Sequence, residues 1–297
     1  MRRGDRAVTA RGSVLTARIL DGRALAATVH DEVAALTSRL RHDGMAEPGL
    51  DVILCGDDPA SATYVRGKGR IAERVGVRFT LHRPASDSNT ADILRLLAEL
   101  NADDRVDGIL VQLPLPAQID QDAVIEAVDP IKDADGFHPL NMGRLAAGRQ
   151  VVAPPCTPAG VVELIVRSGV TIRGGRAVVI GRSTIVGRPL AIMLTNGDAT
   201  VTLCHSRTAG LPEVASEADI LVSAVGRPGM VDASYVREGA CVIDVGTTPR
   251  DGRVLGDIDR AAVEPRAGCL TPVPGGVGPM TIAMLMRNTV ALARARR

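Results

Sequence analysis

The chain has 297 residues, and its 35 lysines and arginines against 34 aspartates and glutamates give a net charge of +1 at pH 7. Hydrophobic residues make up 45% and charged residues 23%, which is typical of folded globular proteins and not of disordered ones. Since neither sign of charge is in excess and no apolar stretch reaches the ~18 residues of a bilayer span, we expect no nucleic-acid partner and no membrane partner.

The first helices and strands alternate from residue 22 onward. Apolar residues at helical spacing predict a helix from 22 to about 43, and short apolar runs with further helical stretches follow it. The predicted order is strand 50–55, helix 59–75, strand 77–81, helix 93–100 and strand 108–111. A strand–helix–strand–helix–strand order favours a parallel sheet with crossover helices.

A second alternating series follows a proline-rich break at 154–158, which places a domain join near residue 150. Thr157 is the predicted N-cap of its first helix, with Pro158 at the first helical position and Gly169 after the end. The remaining predicted strands are 177–180, 200–203, 220–224 and 241–245, with helices at 184–195 and 279–294.

A glycine-containing turn joins strand 177–180 to the next helix, in the context where a helix N-terminus binds phosphate. Gly181 and Gly187 bracket this turn, but Ser183 replaces the second glycine of the G-x-G-x-x-G pattern and Val186 the third. Taken alone, the turn is equally compatible with an ordinary strand-to-helix connection.

The next strand ends in residues 204–207 without the carboxylate that would bind the ribose hydroxyls of NAD. Ser206 and Arg207 lie there instead, and Arg182 can reach the same place. A hydroxyl and cations suit a 2′-phosphate, so NADP is favoured over NAD. The alternative is that 205–207 is a solvated loop.

Lysine is rare in this chain, because 33 of the 35 basic residues are arginine and only Lys68 and Lys132 are lysine. Lysine can lose its proton in a protein and arginine cannot, so these positions are candidates for chemistry or tight geometry. Tyr64 lies one helical turn before Lys68, and Gln112 and Asp135 follow strand ends on the same predicted edge of the sheet. Singly, these four residues could also be a core aromatic, a surface cation, a strand cap and a turn former.

Six motifs together resemble the bifunctional methylenetetrahydrofolate dehydrogenase/methenyltetrahydrofolate cyclohydrolase family, in the family's order and from about residue 16 to the end. They are Tyr64-Val65-x-x-Lys68, Val111-Gln112-Leu113-Pro114-Leu115-Pro116, Lys132-Asp133-x-Asp135-Gly136, Pro155-Cys156-Thr157-Pro158, Gly181-Arg182-Ser183-x-x-Val186-Gly187-x-Pro189 and Pro272-Val273-Pro274-Gly275-Gly276-Val277-Gly278-Pro279-Met280-Thr281.

The resemblance implies an α/β fold of two domains. Residues 19–150 with 279–297 would form a three-layer folate-binding domain to which the C-terminal helix returns, and 151–278 a Rossmann-type NADP-binding domain with a parallel sheet. It also implies NADP-dependent oxidation of 5,10-methylenetetrahydrofolate, followed by hydrolysis of the methenyl product to 10-formyltetrahydrofolate. A homodimer, formed through the cofactor domain, is implied as well.

The resemblance also assigns roles to residues. The catalytic residues would be Lys68, Gln112, Tyr64 and Asp135, and the substrate-binding residues would add Val111, Leu113, Pro274, Gly275 and Gly276. The cofactor would be held by Gly181, Arg182, Ser183, Ser206 and Thr247. The family mostly has isoleucine or valine at the position of Thr247, and there we expect a contact from the backbone to the nicotinamide end of the cofactor.

Three alternatives remain open from the sequence. They are a shikimate-dehydrogenase-like enzyme, a non-catalytic protein that binds NADP or folate, and an enzyme with only one of the two activities.

Several further features support a reduced, metal-free protein. The five cysteines at 55, 156, 204, 241 and 269 lack C-x-x-C spacing, which predicts buried thiols in a cytoplasmic protein. The five histidines lack metal-ligand spacing, so we expect no metal site. Residues 1–18 are predicted to be a disordered extension, and the final arginines a solvated tail.

Overall fold

The computed structural model describes residues 17–297, and these residues form two parallel α/β sheets with helices on both faces. The helices are α1 Gly22–His42, α2 Pro59–Val75, α3 Thr90–Ala102, α4 Gln121–Ala127, α5 Pro139–Ala146, α6 Cys156–Arg167, α7 Gly187–Asn196, α8 Leu211–Ala215, α9 Arg260–Val263 and α10 Val277–Arg296. The strands are β1 Arg18–Ile19, β2 Gly49–Ile53, β3 Arg78–His82, β4 Gly108–Val111, β5 Arg176–Ile180, β6 Thr200–Cys204, β7 Ile220–Ser223, β8 Cys241–Asp244, β9 Thr248–Arg250, β10 Arg253–Leu255 and β11 Cys269–Leu270.

The first sheet has three strands in the order β3-β2-β4, all parallel. Leu50 and Val52 on one face join the apolar core formed with α1, α2 and α10. Ile53 and Ile109 on the other face pack with residues of α3. Strands β2 and β4 are buried on both sides, as strands of parallel sheets are, whereas the edge strand β3 is half-buried and carries polar residues.

The second sheet has six parallel strands in the order β1-β11-β8-β7-β5-β6. Its edge strand β1 precedes the first series in the chain, yet Arg18 pairs with Cys269 of β11. The prediction of a disordered extension over residues 1–18 is therefore wrong for its last two residues, because Ala17 is buried and Arg18 is in a strand. Backbone pairing to β11 orders them. Residues 1–16 lie outside the described residues.

Helix α10 connects the two halves, because it packs against both α1 and α6. Apolar residues lie around most of its circumference, including Met280 and Met284, as expected for a helix buried on all sides. Asn288 of α10 donates to the carbonyl of Ala134 at 2.9 Å and to that of Pro154 at 2.8 Å. The predicted return of the C-terminal helix to the first domain is confirmed.

Two predicted helix starts are wrong. Thr157 does not cap α6, which begins at Cys156 after Pro155; its Oγ1 lies 3.0 Å from Thr281 Oγ1 of α10 instead. Helix α7 begins at Gly187 and not at 184, because Ser183 Oγ accepts from the backbone N–H groups of Val186 and Gly187.

Lys132, one of the two lysines, has a structural role at the end of α3. Its buried ammonium donates to the carbonyls of Leu100, Asn101 and Asp103, at 3.1, 2.8 and 2.7 Å. These carbonyls end α3, where the last turn leaves acceptors without helical donors. Three donors radiating from one nitrogen suit this arrangement, which a planar guanidinium does not reproduce.

The C-terminal arginines are not a solvated tail. Arg296 Nη1 donates to Asp107 Oδ1 at 3.0 Å and to the carbonyl of Val106, and Arg297 Nη2 donates to Asp107 Oδ2 at 2.7 Å. Asp107 is fully buried immediately before β4, and its Oδ2 also accepts from Gly49 N–H at 2.9 Å. The end of the chain thus neutralises a buried carboxylate of the first sheet.

Candidate active site

The predicted reactive side chains converge beyond the carboxyl ends of β2 and β4. Helix α2 carries Tyr64 and Lys68 one turn apart, and it begins where Asp58 accepts from Ser61 N–H at 2.7 Å. Gln112 directly follows β4. The segment around Asp133 runs parallel beside β4, bridged to Ile109, and thereby brings in Asp135. We call Tyr64, Lys68, Gln112, Asp135 and Cys156 the Lys68 cluster.

The Lys68 amine is held by Gln112. Lys68 Nζ donates to Gln112 Oε1 at 2.9 Å, and Gln112 Nε2 donates to the carbonyl of Leu113 at 2.7 Å. The second bond fixes the amide so that its oxygen, and not its nitrogen, faces the amine. Lys68 is only 4% exposed, and this burial lowers the pKa of its amine because a desolvated ammonium is disfavoured.

Asp135 and Cys156 act on the same amine electrostatically. Burial raises the pKa of the Asp135 carboxyl, and the Lys68 charge opposes that rise. The buried Cys156 thiol lies beside Asp135 and donates to the carbonyl of Ala134 at 3.3 Å, and desolvation raises the pKa of this thiol well above its ordinary value. Conversely, Asp135 favours the charged form of Lys68. Desolvation therefore lowers the pKa of the amine, and the nearby carboxyl partly offsets this lowering.

The aromatic ring of Tyr64 packs against the Lys68 amine. Lys68 Nζ is 4.7 Å from the ring centroid, within the range of a cation–π contact. The Tyr64 hydroxyl lies near Thr281 of α10, and burial raises the pKa of this hydroxyl above its usual range. Since Thr281 also contacts Thr157 of α6, the hydroxyl chain links three helices at the site.

Asp133 shapes the turn that presents Asp135. Its Oδ1 accepts from the N–H groups of Gly136 and Phe137, and its Oδ2 accepts from His138 N–H and from Asn141 Nδ2 at 3.0 Å. Asp133 is therefore committed to the backbone and is not available to a ligand.

The loop between β11 and α10 contains Pro274, Gly275 and Gly276 and packs against the start of α1. A Cβ on Gly22 would lie 1.8 Å from the carbonyl oxygen of Gly276, so only glycine allows this approach. Gly275 has φ +113°, a conformation that side chains disfavour. The loop runs directly into α10, whose Thr281 touches Tyr64.

The turn after β5 has the geometry of a nucleotide-binding connection. Gly181 has φ +120°, and a Cβ there would meet the carbonyl oxygen of Ala224 at 2.3 Å. A Cβ on Gly187 would lie 1.8 Å from the carbonyl oxygen of Gly181, so the helix starts directly against the strand. Ser183 Oγ accepts from the Val186 and Gly187 N–H groups, and the turn lies at the positive end of the ten-residue helix α7.

The other residues assigned to the cofactor lie around this turn. Arg182 and Ser206 are exposed, and Gly181 N–H donates to the Cys204 carbonyl at 2.9 Å, which brings the two segments together. Thr247 is exposed after β8. The exposed cation and hydroxyl at the ends of β5 and β6 fit a phosphorylated ribose, and the glycine turn fits a pyrophosphate.

Two buried carboxylates that sequence reasoning missed organise this edge of the second sheet. Asp257 accepts from Ser223 Oγ at 3.0 Å and from the N–H groups of Val225 and Arg227, both at 2.8 Å. Asp244 accepts from the N–H groups of Gly246, Asp257 and Ile258. Burial raises the pKa of Asp244 to about 6. The one available signal was an aspartate at the end of an apolar strand.

Comparison with known proteins identifies both halves of the chain. The family model "Tetrahydrofolate dehydrogenase/cyclohydrolase, catalytic domain" matches residues 20–135, and "Tetrahydrofolate dehydrogenase/cyclohydrolase, NAD(P)-binding domain" matches residues 155–297. "Bifunctional protein FolD" of Magnetococcus marinus is 52% identical over 279 residues, covering 94% of this chain and 98% of the relative.

Solved structures agree with these matches. A bifunctional FolD methylenetetrahydrofolate dehydrogenase/cyclohydrolase from Campylobacter jejuni is 43% identical with a TM-score of 0.91, covering 94% of this chain and 99% of that one. A Trypanosoma brucei FolD enzyme, complexed with NADP and an inhibitor, is 39% identical with a TM-score of 0.91, covering 95% and 98%. No helix within residues 17–297 is long and apolar enough to cross a membrane.

Proposed function

Since this chain belongs to the tetrahydrofolate dehydrogenase/cyclohydrolase family, it is a bifunctional NADP-dependent folate enzyme, and we propose that the Lys68 cluster is its reaction site. The enzyme oxidises 5,10-methylenetetrahydrofolate to the 5,10-methenyl compound and hydrolyses that to 10-formyltetrahydrofolate. Family membership decides against the shikimate-type alternative. The observation that carries the site assignment is the buried amine of Lys68, held by Gln112 and bordered by Asp135.

The oxidation needs positioning more than proton chemistry. Bound NADP⁺ supplies the hydride acceptor. The chain's contribution is to hold the two ligands next to each other. The glycine turn on one sheet and the Lys68 cluster on the other can do this because α10 packs against both halves.

The hydrolysis needs a group that takes a proton and returns it. Neutral Lys68 Nζ accepts the proton of the attacking water and later delivers it to the substrate nitrogen that leaves the carbon. Burial favours the neutral amine, and the positive charge of the methenyl substrate disfavours the ammonium further. Gln112 Oε1 holds the amine in place in either protonation state, since Nζ keeps N–H donors in both.

Tyr64 and Asp135 recognise the substrate in this proposal. The Tyr64 ring, whose hydroxyl lies near Thr281, offers an aromatic face for stacking on the folate rings. Asp135 provides carboxylate acceptors matching the amino and ring N–H donors of a pterin. Val111, Leu113 and the Pro274–Gly276 loop would complete the walls.

A two-signal assay tests the function. The protein is mixed with 5,10-methylenetetrahydrofolate and NADP⁺, and NADPH and the methenyl compound are followed separately. We expect NADPH to form without methenyl accumulation, because hydrolysis consumes it. Accumulating methenyl compound would leave a dehydrogenase only, and binding without NADPH formation would contradict the proposal.

Cofactor choice depends on Arg182 and Ser206. Replacing Arg182 by glutamine is expected to raise KM for NADP⁺ about tenfold, since a charge-assisted bond to the 2′-phosphate is lost, and to leave KM for NAD⁺ unchanged. Ser206→Ala should act in the same direction. Arg173→Gln, a change to an exposed arginine paired with Asp198 away from the turn, is the matched control. Equal effects on both cofactors would remove Arg182 from the phosphate site.

We also propose a homodimer formed along β6. This strand is an edge of the second sheet, most of it is exposed, and Leu203 is 36% exposed. Thr200 N–H bonds to Gly175 on the β5 side, so the N–H groups of Val201 and Leu203 point away from the sheet and can pair with a second copy around a two-fold axis.

Sedimentation velocity measures this assembly. Leu203→Arg brings like charges together at the axis, so the variant should sediment as a monomer where the wild-type enzyme sediments as a dimer. Val254→Arg alters a similarly exposed apolar residue in the β9–β10 hairpin and serves as the control. An unchanged dimer in Leu203→Arg would place the interface elsewhere.

We propose a cytoplasmic location because all five cysteines are free thiols, as is usual in that reducing compartment.

A further inference from the structure

Two cysteines of the second sheet face each other in neighbouring strands. Cys241 of β8 and Cys269 of β11 are register partners in a parallel pair, and both side chains belong to the same apolar core. Their thiols are close enough for each to shift the pKa of the other. Neighbouring strands lie about 4.8 Å apart, within the range of Cα separations that disulfides span, about 4.4–6.8 Å. The two thiols are therefore close enough to form a disulfide.

The pair also lines an opening to solvent. A surface cavity of about 440 Å³ is lined by Cys241 and Cys269 together with Arg18, Val170 and residues 237–240. The cavity lies where β8 and β11 begin, whereas the Lys68 cluster and the glycine turn lie where strands end. This location separates the pair from the catalytic chemistry.

Arg18 supplies positive charge at this place. It is the register partner of Cys269 on β1, so three neighbouring strands place Arg18, Cys269 and Cys241 in one row. Its guanidinium donates to the carbonyl of Ser168 at 2.7 Å, which holds it beside the thiols. Interaction with the Cys241 thiol lowers the pKa of Cys269, and Arg18 lowers it further.

The other three cysteines contrast with Cys269. Burial raises the pKa of Cys55, Cys156 and Cys204, so each is held as an unreactive thiol. Among the five cysteines of the chain, only Cys241 and Cys269 share a second thiol, a nearby arginine and a cavity, and of these two it is Cys269 whose pKa is lowered.

We propose that Cys241 and Cys269 form a redox-active dithiol that hydrogen peroxide, entering through this cavity, converts to a reversible disulfide. The Cys269 thiolate attacks one peroxide oxygen, the O–O bond breaks, and the departing hydroxide takes a proton to become water. The resulting sulfenic acid is attacked by Cys241 sulfur, an S–S bond forms, and the S–O bond breaks to release the second water. Two thiols lose two electrons, which the peroxide accepts.

Peptide mapping of the wild-type enzyme tests the proposal directly. Fully reduced enzyme is treated with one equivalent of hydrogen peroxide, quenched, alkylated and digested without reduction. We expect two of the five thiols to be lost, a Cys241–Cys269 cross-linked peptide to appear, and dithiothreitol to restore both thiols. Absence of the cross-link, or loss of Cys55 and Cys204 at the same rate, would overturn the proposal.

Two variants test the contribution of Arg18 and the selectivity for the Cys241–Cys269 pair. Arg18→Gln keeps most of the side chain but removes the charge, and should slow cross-linking by roughly three- to tenfold near neutral pH, because the thiolate fraction falls. Cys204→Ser, a change to a buried cysteine of the same sheet, should cross-link at the wild-type rate. Cross-linking at the wild-type rate in Arg18→Gln would overturn the part assigned to Arg18.

Discussion

Replacing Lys68 by methionine is expected to abolish hydrolysis of methenyltetrahydrofolate while part of the dehydrogenase activity survives. Methionine fills a similar volume but cannot move a proton, and removal of a proton-transfer group costs about 10²–10⁴ in rate. Oxidation depends on ligand positioning, to which the amine contributes only contacts. Spectrophotometry of methenyl accumulation during NADPH formation measures both rates in one sample. A variant that hydrolyses at the wild-type rate would show that Lys68 is not the proton carrier.

Lys68→Arg is the matched control for charge. Arginine retains donors for Gln112 Oε1 but cannot become neutral, so hydrolysis should be lost as completely as in the methionine variant. If the arginine variant hydrolysed well, a fixed positive charge and not proton transfer would explain the role of this position.

The pH dependence follows from the same amine. Because burial lowers the pKa of Lys68 from its ordinary value, the neutral form becomes populated at a lower pH than for an exposed lysine. The hydrolysis rate should therefore rise as pH increases through this lowered pKa and level off above it. In Lys68→Arg no such rise should remain in the residual rate, and a rise of the same shape there would assign the titration to another group.

Much of this site could be predicted from the sequence because its geometry follows from strand order. Strand–helix alternation implies parallel strands, and parallel strands end at one edge, so Gln112 after β4 and Lys68 on α2 had to lie near each other. The rarity of lysine identified two positions correctly as special but not their roles. Lys68 lies beside Gln112 as strand order predicts, whereas only the structure shows that Lys132 binds the carbonyls at the end of α3.

What the sequence did not predict depends on contacts between distant segments. The first helix of the second series was assigned a threonine cap, but Thr157 is engaged by Thr281, 124 positions away. Asp244 and Asp257 bond to backbone groups whose positions are known only once the strands are paired. Likewise, β1 and β11 are two-residue strands, too short for periodicity to detect; β11 brings Cys269 beside Cys241, and β1 adds Arg18 to the same row.

The C-terminal arginines allow the clearest test of such a distant contact. Changing both Arg296 and Arg297 to alanine leaves the buried Asp107 carboxylate with the Gly49 N–H as its remaining hydrogen-bond donor. Removing the partners of a buried charge costs about 3–5 kcal/mol, so we expect the free energy of unfolding to fall by about 3 kcal/mol and Tm to drop by roughly 6 °C or more. Denaturant unfolding and thermal melting measure both.

Two further variants distinguish charge neutralisation from loss of the helix end. Arg294→Ala removes an exposed arginine of the same helical turn and should change stability by less than about 0.5 kcal/mol. Adding Asp107→Asn to the double variant should restore much of the lost stability, because a neutral amide still accepts from Gly49 and needs no counter-charge. If the double variant were as stable as wild type, these arginines would be the solvated tail that the sequence alone suggests. If asparagine gave no rescue, packing of the arginine stems would account for the loss.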